Sequence, residues 1–420
     1  MANLNGIFGF IPEVTKPSEK KVAFNVKLKW TLIILAAFFV LTNIPLFGLS
    51  GNALERFEYL ALMLGTDFGS IISLGIGPIV MASIILQLLT GAGIINIDTS
   101  TTEGKKFFQG VQKLLVFFFI LFEALVYVLM QGLQADPLLG AIGPAILIIQ
   151  LILGGLAIFY MDEVTTKWGF GSGVSLFIGA GVSLRLITQA FQFFGEDPVT
   201  GNLMFQPSGK FLVMINSLIS QPSDVTAFLS AAAAIIATII IFLVVVWVQS
   251  LKVEIPLSFG KLRGYGVKWP LAFFYASVMP VILTAALLAN VSLVGGLVEN
   301  AAAPCLLEEG ICTGFGRVAT HLTWVGTFDA TSGQAISGFA FWIGSTNLLD
   351  LFIRGGFMWR YVIQGFFHIL SFVLLCTLFS VFWVKTSGMD SKAQAQKIAA
   401  SGLQVAGFRQ DIRVLESILD

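Results

Sequence analysis

Charge is what this chain has least of. Only 11% of its 420 residues are Asp, Glu, Lys or Arg, while 56% are hydrophobic. A soluble domain carries about 25% charge, so a water-soluble globule is excluded and a polytopic membrane protein follows. Histidine (2) and cysteine (3) are nearly as scarce. His321 and His368 are far apart, and no Cys/His group has metal-ligand spacing. No G-x-x-x-x-G-K-[ST] phosphate loop occurs. Gly169–Gly173 (GFGSG) opens a membrane helix and follows no strand, so it is not read as a nucleotide site. Bond-making chemistry therefore has no residues to run on. The chain is read as no enzyme, with no cofactor, and any work it does is powered by a partner. A cleavable signal peptide is not expected either. The first 27 residues are polar and basic with Pro12 and Pro17, and no small-residue cleavage site follows Leu28–Leu41.

What is abundant is long apolar runs. Hydropathy predicts eight spans near 28–48, 71–95, 111–131, 138–161, 172–194, 228–249, 270–298 and 360–384. With the N-terminus in the cytosol, 18 of the 24 Lys and Arg residues fall on the cytosolic side, as positive-inside orientation requires. The other six, Arg56, Arg185, Lys210, Arg317, Arg354 and Arg360, lie outside or in the membrane. Two longer loops, Gly195–Ala227 and Glu299–Trp359, are predicted outside. The second contains Ile336–Ile353, whose Asp350 and Gly/Ser/Thr/Asn interruptions predict a re-entrant or interfacial segment rather than a span. Cys305 and Cys312 share that loop, where oxidation is permitted. A disulfide and two unpaired thiols are both open, since their separation is not set by sequence. Cys376 is read as packing.

Between the first two spans, Gly51–Thr66 (GNALERFEYLALMLGT) is apolar on one face and about half the length a bilayer needs. It predicts a half-helix, and Leu74–Ile94 after it opens with Gly and Pro. This is how a chain lines a water-filled cavity at membrane depth. Pro78 and Pro280 each sit about one turn into a span, and those two spans run in opposite directions. That is the look of an inverted repeat, or of two ordinary first-turn prolines.

Few side chains offer themselves as sites. Glu123 lies in mid-span, where an ionisable group defaults to function; a buried, protonated carboxyl is the alternative. Arg185 is read as snorkelling to the outer interface. Ile76 and Val80 share one helix face, as do Val174 and Ile178; such residues form either packing or a dewetting constriction. The predicted cytosolic loop Val253–Pro270 places Lys261, Arg263 and Lys268 among glycines and aromatics, which serves either orientation or docking of an RNA-rich partner.

Several long segments carry a resemblance. LGIGPIVMASIILQLLTGAGI (Leu74–Ile94), GVQKLLVFF (Gly110–Phe118), DEVTTKWGFGSGVSLFI (Asp162–Ile178), VEIPLSFGKLRG (Val253–Gly264) and FWVKTSGMD (Phe382–Asp390) resemble the SecY-type protein-conducting channel in its archaeal and eukaryotic form, collinearly from about Lys20 to Asp420. The resemblance implies an all-α polytopic membrane protein, a helical channel of ten spans in two inverted halves. Eight of those ten are expected here. Residues 1–169 and 170–194 would form the N-terminal half, with a plug at 51–66, and residues 195–420 the C-terminal half without the last two family spans, as in a truncated or split sequence. It further implies a pore ring of Ile76, Val80, Val174, Ile178 and Ile282. The plug would present Leu54, Arg56, Phe57, Leu60 and Leu64. The lateral gate would include Gln87, Glu123 and Asn290, with Glu123 at a position where relatives often carry Gln. Lys261, Arg263 and Arg409 would dock the ribosome or another cytosolic driving partner. Expected partners are small single-span SecE-type and beta-type subunits, signal peptides and nascent chains, and the lipid bilayer; the expected location is the cell membrane. The function implied is conduction of unfolded secretory polypeptides and sideways release of apolar segments. The rival reading is an ion-coupled secondary transporter using Glu123, and a third is a membrane assembly scaffold.

Overall fold

Apolar helices make up most of the chain, and a few tight turns decide where they sit. The computed structural model describes residues 12–18, 22–57, 60–61, 64–95, 97, 101–193, 195–196, 203–204, 208–219, 225–259, 266–276, 278–307, 314–329, 333–353, 355–356, 358–387, 389–400, 402–405 and 412–419. Helix α1 is Phe24–Thr42. Strand β1 (Leu49–Asn52) follows, then a 3₁₀ turn at Glu55–Phe57, then α2 (Gly77–Gly91) and α3 (Thr102–Leu129). Strand β2 (Leu133–Ala135) pairs antiparallel with β1. Helices α4 (Gly143–Trp168) and α5 (Gly173–Phe191) complete the first part of the chain.

The second part opens with the strand pair β3 (Gly195–Glu196) and β4 (Leu203–Met204), followed by α6 (Lys210–Ile219) and α7 (Val225–Ser250). Strands β5 (Lys252–Phe259) and β6 (Gly266–Ala272) precede α8 (Val278–Leu307) and α9 (Gly314–His321). Strands β7 (Thr327–Phe328) and β8 (Ala335–Ser337) lead to the short helices α10 (Phe339–Ile343) and α11 (Leu348–Ile353). The chain then runs through α12 (Trp359–Thr386), α13 (Ser391–Ala400), β9 (Leu403–Val405) and α14 (Ile412–Leu419).

Seven helices among the described residues are long and apolar enough to cross a membrane, whereas α2 is shorter, with 15 residues. The predicted span at 71–95 is thus helical only from Gly77. The reason lies in Leu74–Ile76, which turn sharply to bring the preceding segment back against the helix. Gly75 adopts φ +53°, and a Cβ there would sit 2.4 Å from the Leu64 carbonyl oxygen. Pro78 then fits the first turn of α2, where its missing N–H removes no helical hydrogen bond.

One hydrophobic core runs through α1 to α5, α8 and α12. Helix α2 packs on α3 on one side and on both α8 and α12 on the other. Helix α7 is different. Ile239–Trp247 are all exposed along it, which suits a helix bathed in lipid. Ile336–Ile353 does not span; it breaks into β8, α10 and α11, each too short. The loop at 253–270 is a regular β-hairpin, β5 with β6, widened to three strands by β9. A second small core, Leu257, Ala395, Ile398 and Leu415, ties that sheet to α13 and α14. Pro256 within β5 weakened the strand signal in the sequence.

Candidate functional site

The site is built where α2, α5 and α8 meet. Ile76 and Val80, one turn apart at the start of α2, are 0% and 3% exposed, and Val174 at the start of α5 is 8% exposed. Ile178 packs against the same core, and Ile282 of α8 is half-buried. Val80, Val174 and Ile282 line one cavity of about 330 Å³, together with Gln87, Lys105 and Trp383. Lys105 and the start of α3 mark this as the basic end of the helical body. Asp162 of α4 holds the α5 start in place by accepting the Val174 N–H at 3.0 Å. Phe177 stacks on Phe38 of α1, with centroids 5.0 Å apart.

Ile76 and Ile178 are not among the residues that line this cavity. The Ile76 N–H donates to the Leu64 carbonyl at 2.9 Å, and Gly65 lies against the α5 backbone at Phe177 and Ile178. The segment expected as a half-helix thus abuts the main chain of these two residues. It is not a continuous helix. Gly51 and Asn52 belong to β1, and helical turns begin only at Glu55. Pairing of β1 with β2 satisfies backbone groups that a half-helix would have satisfied internally.

Leu54, Phe57, Leu60 and Leu64 are all buried in the main core. Phe57 meets the Phe328 ring edge-on at 5.2 Å and presses on α8 at Gly296, where a Cβ would stand 2.2 Å from the ring. Only glycine permits that approach. Arg56, beside it, donates through Nη2 to Glu299 Oε2 at 3.0 Å and to Asn300 Oδ1 at 3.1 Å. Glu299 also accepts the Phe328 N–H at 3.1 Å through its other oxygen. The hydrophobic residues of this segment were legible from their spacing. Glu299, which lies 243 residues away from Arg56 in sequence, carried no signal that could have found it.

Gln87, Glu123 and Asn290 are each buried. Asn290 donates to the Ala286 carbonyl of its own helix at 2.9 Å. Gln87 Oε1 and Glu123 Oε2 have no hydrogen-bond partner. Glu123 rests on the first turn of α2, its Oε2 3.0 Å from where a Gly77 Cβ would lie. No group of three or more His, Cys, Asp or Glu suited to a metal ion occurs among the described residues. Cys305 is disulfide-bonded and Cys376 is free. Lys261, Arg263, Arg409 and Cys312 lie outside the described residues.

A cluster at the basic end was not anticipated. Lys113 of α3 and Lys167 of α4 both bind Glu163 Oε1 at 2.8 Å. Glu13, from the segment before α1, joins them at 2.5 Å from Lys113 and 3.7 Å from Lys167. The i,i+4 spacing of Glu163 and Lys167 was a usable signal; the reach of Glu13 across the bundle was not. The hydrogen bond from Lys113 holds the Glu13 carboxyl below its ordinary value of 4.5, against a smaller opposing effect of burial.

The comparisons agree with one another. A sequence model described as SecY matches residues 70–420. The protein translocase subunit SecY of Methanothermobacter thermautotrophicus is 40% identical over 424 residues, 98% of this chain and 83% of that protein. A solved structure described as "The structure of a protein conducting channel" superposes with a TM-score of 0.75 at 32% identity, covering 99% of this chain and 85% of the other. Another, "Sec61 in the Canine ribosome-channel complex from the endoplasmic reticulum", gives 0.69 at 32% identity, covering 94% and 80%.

Two outcomes follow from this geometry. Replacing Arg56 with Gln is expected to lower stability in detergent by about 1–2 kcal/mol, because charge-assisted bonds at a partly wet site are lost. Arg56→Gln combined with Glu299→Gln should fall short of the sum of the single changes in a thermal double-mutant cycle; strict additivity would mean the pair is not coupled. The second outcome concerns pH. A carboxyl with a depressed value stabilises its docked state above the ordinary value and loses that stabilisation as pH falls through its own. Hydrogen exchange at the Val14 amide should therefore be slow at neutral pH and lose protection below 4.5. Protection unchanged across that range would contradict the role given to Glu13.

Proposed function

The chain belongs to the SecY family, and we propose that its aliphatic constriction is the seal of a channel for unfolded polypeptides, stoppered from the far side by residues 51–66. The observation that carries this reading is what adjoins the five residues. The main chain at Ile76 and Ile178 meets the Leu64–Gly65 turn, while Val80, Val174 and Ile282 line a cavity at the basic end. A ring of branched aliphatic groups excludes water and ions by dewetting, yet makes no specific hydrogen bond that a passing side chain would have to replace.

The basic end is assigned to the cytosol by its Lys and Arg excess, which puts the N-terminus there, and the cell membrane is the expected location. Residues 1–194 and 195–420 then form the two halves of the channel, with α2 and α3 on one side of a lateral gate and α8 and α12 on the other. The closed gate is not perfectly packed. Gln87 and Glu123 each bury an oxygen without a partner, and such an atom costs about 1–3 kcal/mol. Hydration on opening returns that energy, so an entering signal helix needs only to bury its own apolar face to compete. The Arg56–Glu299 pair, partly exposed, makes the stopper releasable in the same way.

Basic residues Lys261, Arg263 and Arg409 are assigned to a ribosome or other cytosolic driving partner, a reading supported by the structural neighbour that comes from a ribosome-channel complex. Small single-span SecE-type and beta-type subunits are assigned to the lipid-facing flanks. The chain performs no bond chemistry in this reading.

Substitution of Ile76, Val80, Val174, Ile178 and Ile282 by Gly should raise ion leak in proteoliposomes, whereas a scaffold would leak no more than before. Deleting Leu54–Leu64 should raise leak while polypeptide transport continues. Complete loss of transport would instead identify that segment as scaffold.

A further inference from the structure

The segment before α1 is held in an unusual way. The Val14 N–H donates to Glu163 Oε2 at 3.1 Å, Lys167 Nζ donates to the Val14 carbonyl at 2.6 Å, and Trp168 Nε1 donates to the Thr15 carbonyl at 2.9 Å. All three bonds go to main chain. Residues 12–17 have no regular secondary structure, and Pro17 biases Lys16 toward extended backbone. The last turn of α4 therefore reads an extended peptide through groups that every residue possesses. The one side chain that is gripped strongly is an acid, Glu13, on Lys113.

The edge is also held by contacts of its own. Lys113 and Lys167 already converge on Glu163 at 2.8 Å each, which fixes the reading edge of α4 against α3. A cavity of about 220 Å³ adjoins it, lined by Lys16, Gln109, Gln112 and Thr166 among others. Ile79, Gln109, Gln112 and Asp162 also line the larger cavity beneath Val80, Val174 and Ile282. A peptide in the cleft is thus beside the entrance to the constriction.

We infer that the Glu163–Lys167–Trp168 edge is a docking track for an extended polypeptide bearing an acidic residue, self-occupied at rest by residues 13–15 and vacated to an incoming unfolded chain. Three features support exchange rather than permanent attachment. Glu13 is more than half exposed, with 55% of its side chain open to solvent. Main-chain recognition tolerates any sequence. The contacting groups are also all at the end of the bundle from which a chain would enter. The inference rests on the channel reading above, so its test separates the two.

The full chain, in vesicles with its partner subunits, would carry a photo-crosslinking residue at either Thr166 or Ile282 and be loaded with a stalled, unfolded polypeptide containing acidic residues. Thr166 is exposed, lines the cleft and makes none of the gripping bonds. At rest the Thr166 probe should join the chain's own N-terminal segment; when loaded, it should join the polypeptide. Glu13→Lys, which places like charge against Lys113, should raise polypeptide adducts at Thr166 by about threefold, because the competing occupant is weakened. Glu13→Gln should give a smaller rise in the same direction. Adducts at Ile282 with none at Thr166 in any of these chains would overturn the docking track and leave the channel reading standing. Absence of adducts at Ile282 would overturn both.

Discussion

The close approach of Leu64 to Ile76 is the contact on which the rest of this structure depends. It requires a reversal of the chain that only glycine can make, because Gly75 sits at φ +53° with the Leu64 carbonyl where a Cβ would be. That reversal shortens α2 to 15 residues and turns what would have been a lipid-facing stretch inward. It also brings the Ile76 main chain against Leu64, one turn before Val80 lines the cavity. Backbone pairing of β1 with β2 and the lodging of Phe57 at Gly296 then fix the stopper from its other end.

Apolar and polar contacts divide the work between permanence and release. The constriction itself is aliphatic and gains stability from exclusion of water alone. In the proposed function the parts that move are fastened by groups that water can replace: Arg56 on Glu299 at the proposed stopper, and Gln87 and Glu123 at the α2 contacts with oxygens left unpaired. Burying those oxygens makes the closed state less stable than a wholly apolar seam would be. A closed channel that opens on demand needs such weakness, and it lies at the proposed stopper and the proposed gate. At the basic end the same division recurs, with ion pairs and main-chain hydrogen bonds holding residues 13–15 against α3 and α4.

Much of this was legible before any coordinates. The spans announce themselves by hydropathy, Pro78 marks the start of α2, and the i,i+4 spacing of Ile76 with Val80 and of Val174 with Ile178 put each pair on one helix face. The resemblance then selected those faces from many equivalent ones. What stayed hidden was of two kinds. Local structure was misjudged where apolar periodicity fits more than one element: Gly51–Asn52 form a strand because a partner strand lies beside them, which no local pattern encodes. Long-range polar contacts were invisible for a different reason. Arg56 with Glu299, and Glu13 with Lys113, join residues far apart in sequence, and a charged residue near a span end reads simply as topology until its partner is seen.

The central claim is that one thin aliphatic layer separates two aqueous compartments, and side-specific labelling tests it most directly. Single cysteines would be placed at Val80, on the cavity side, and at Ser50, exposed at the opposite end, and challenged with a membrane-impermeant thiol reagent from either side of sealed vesicles holding the resting protein. The account predicts reaction of the Val80→Cys chain only from the cytosolic side and of the Ser50→Cys chain only from the outer side. Reaction of the Val80→Cys chain from the outer side at rest would contradict it.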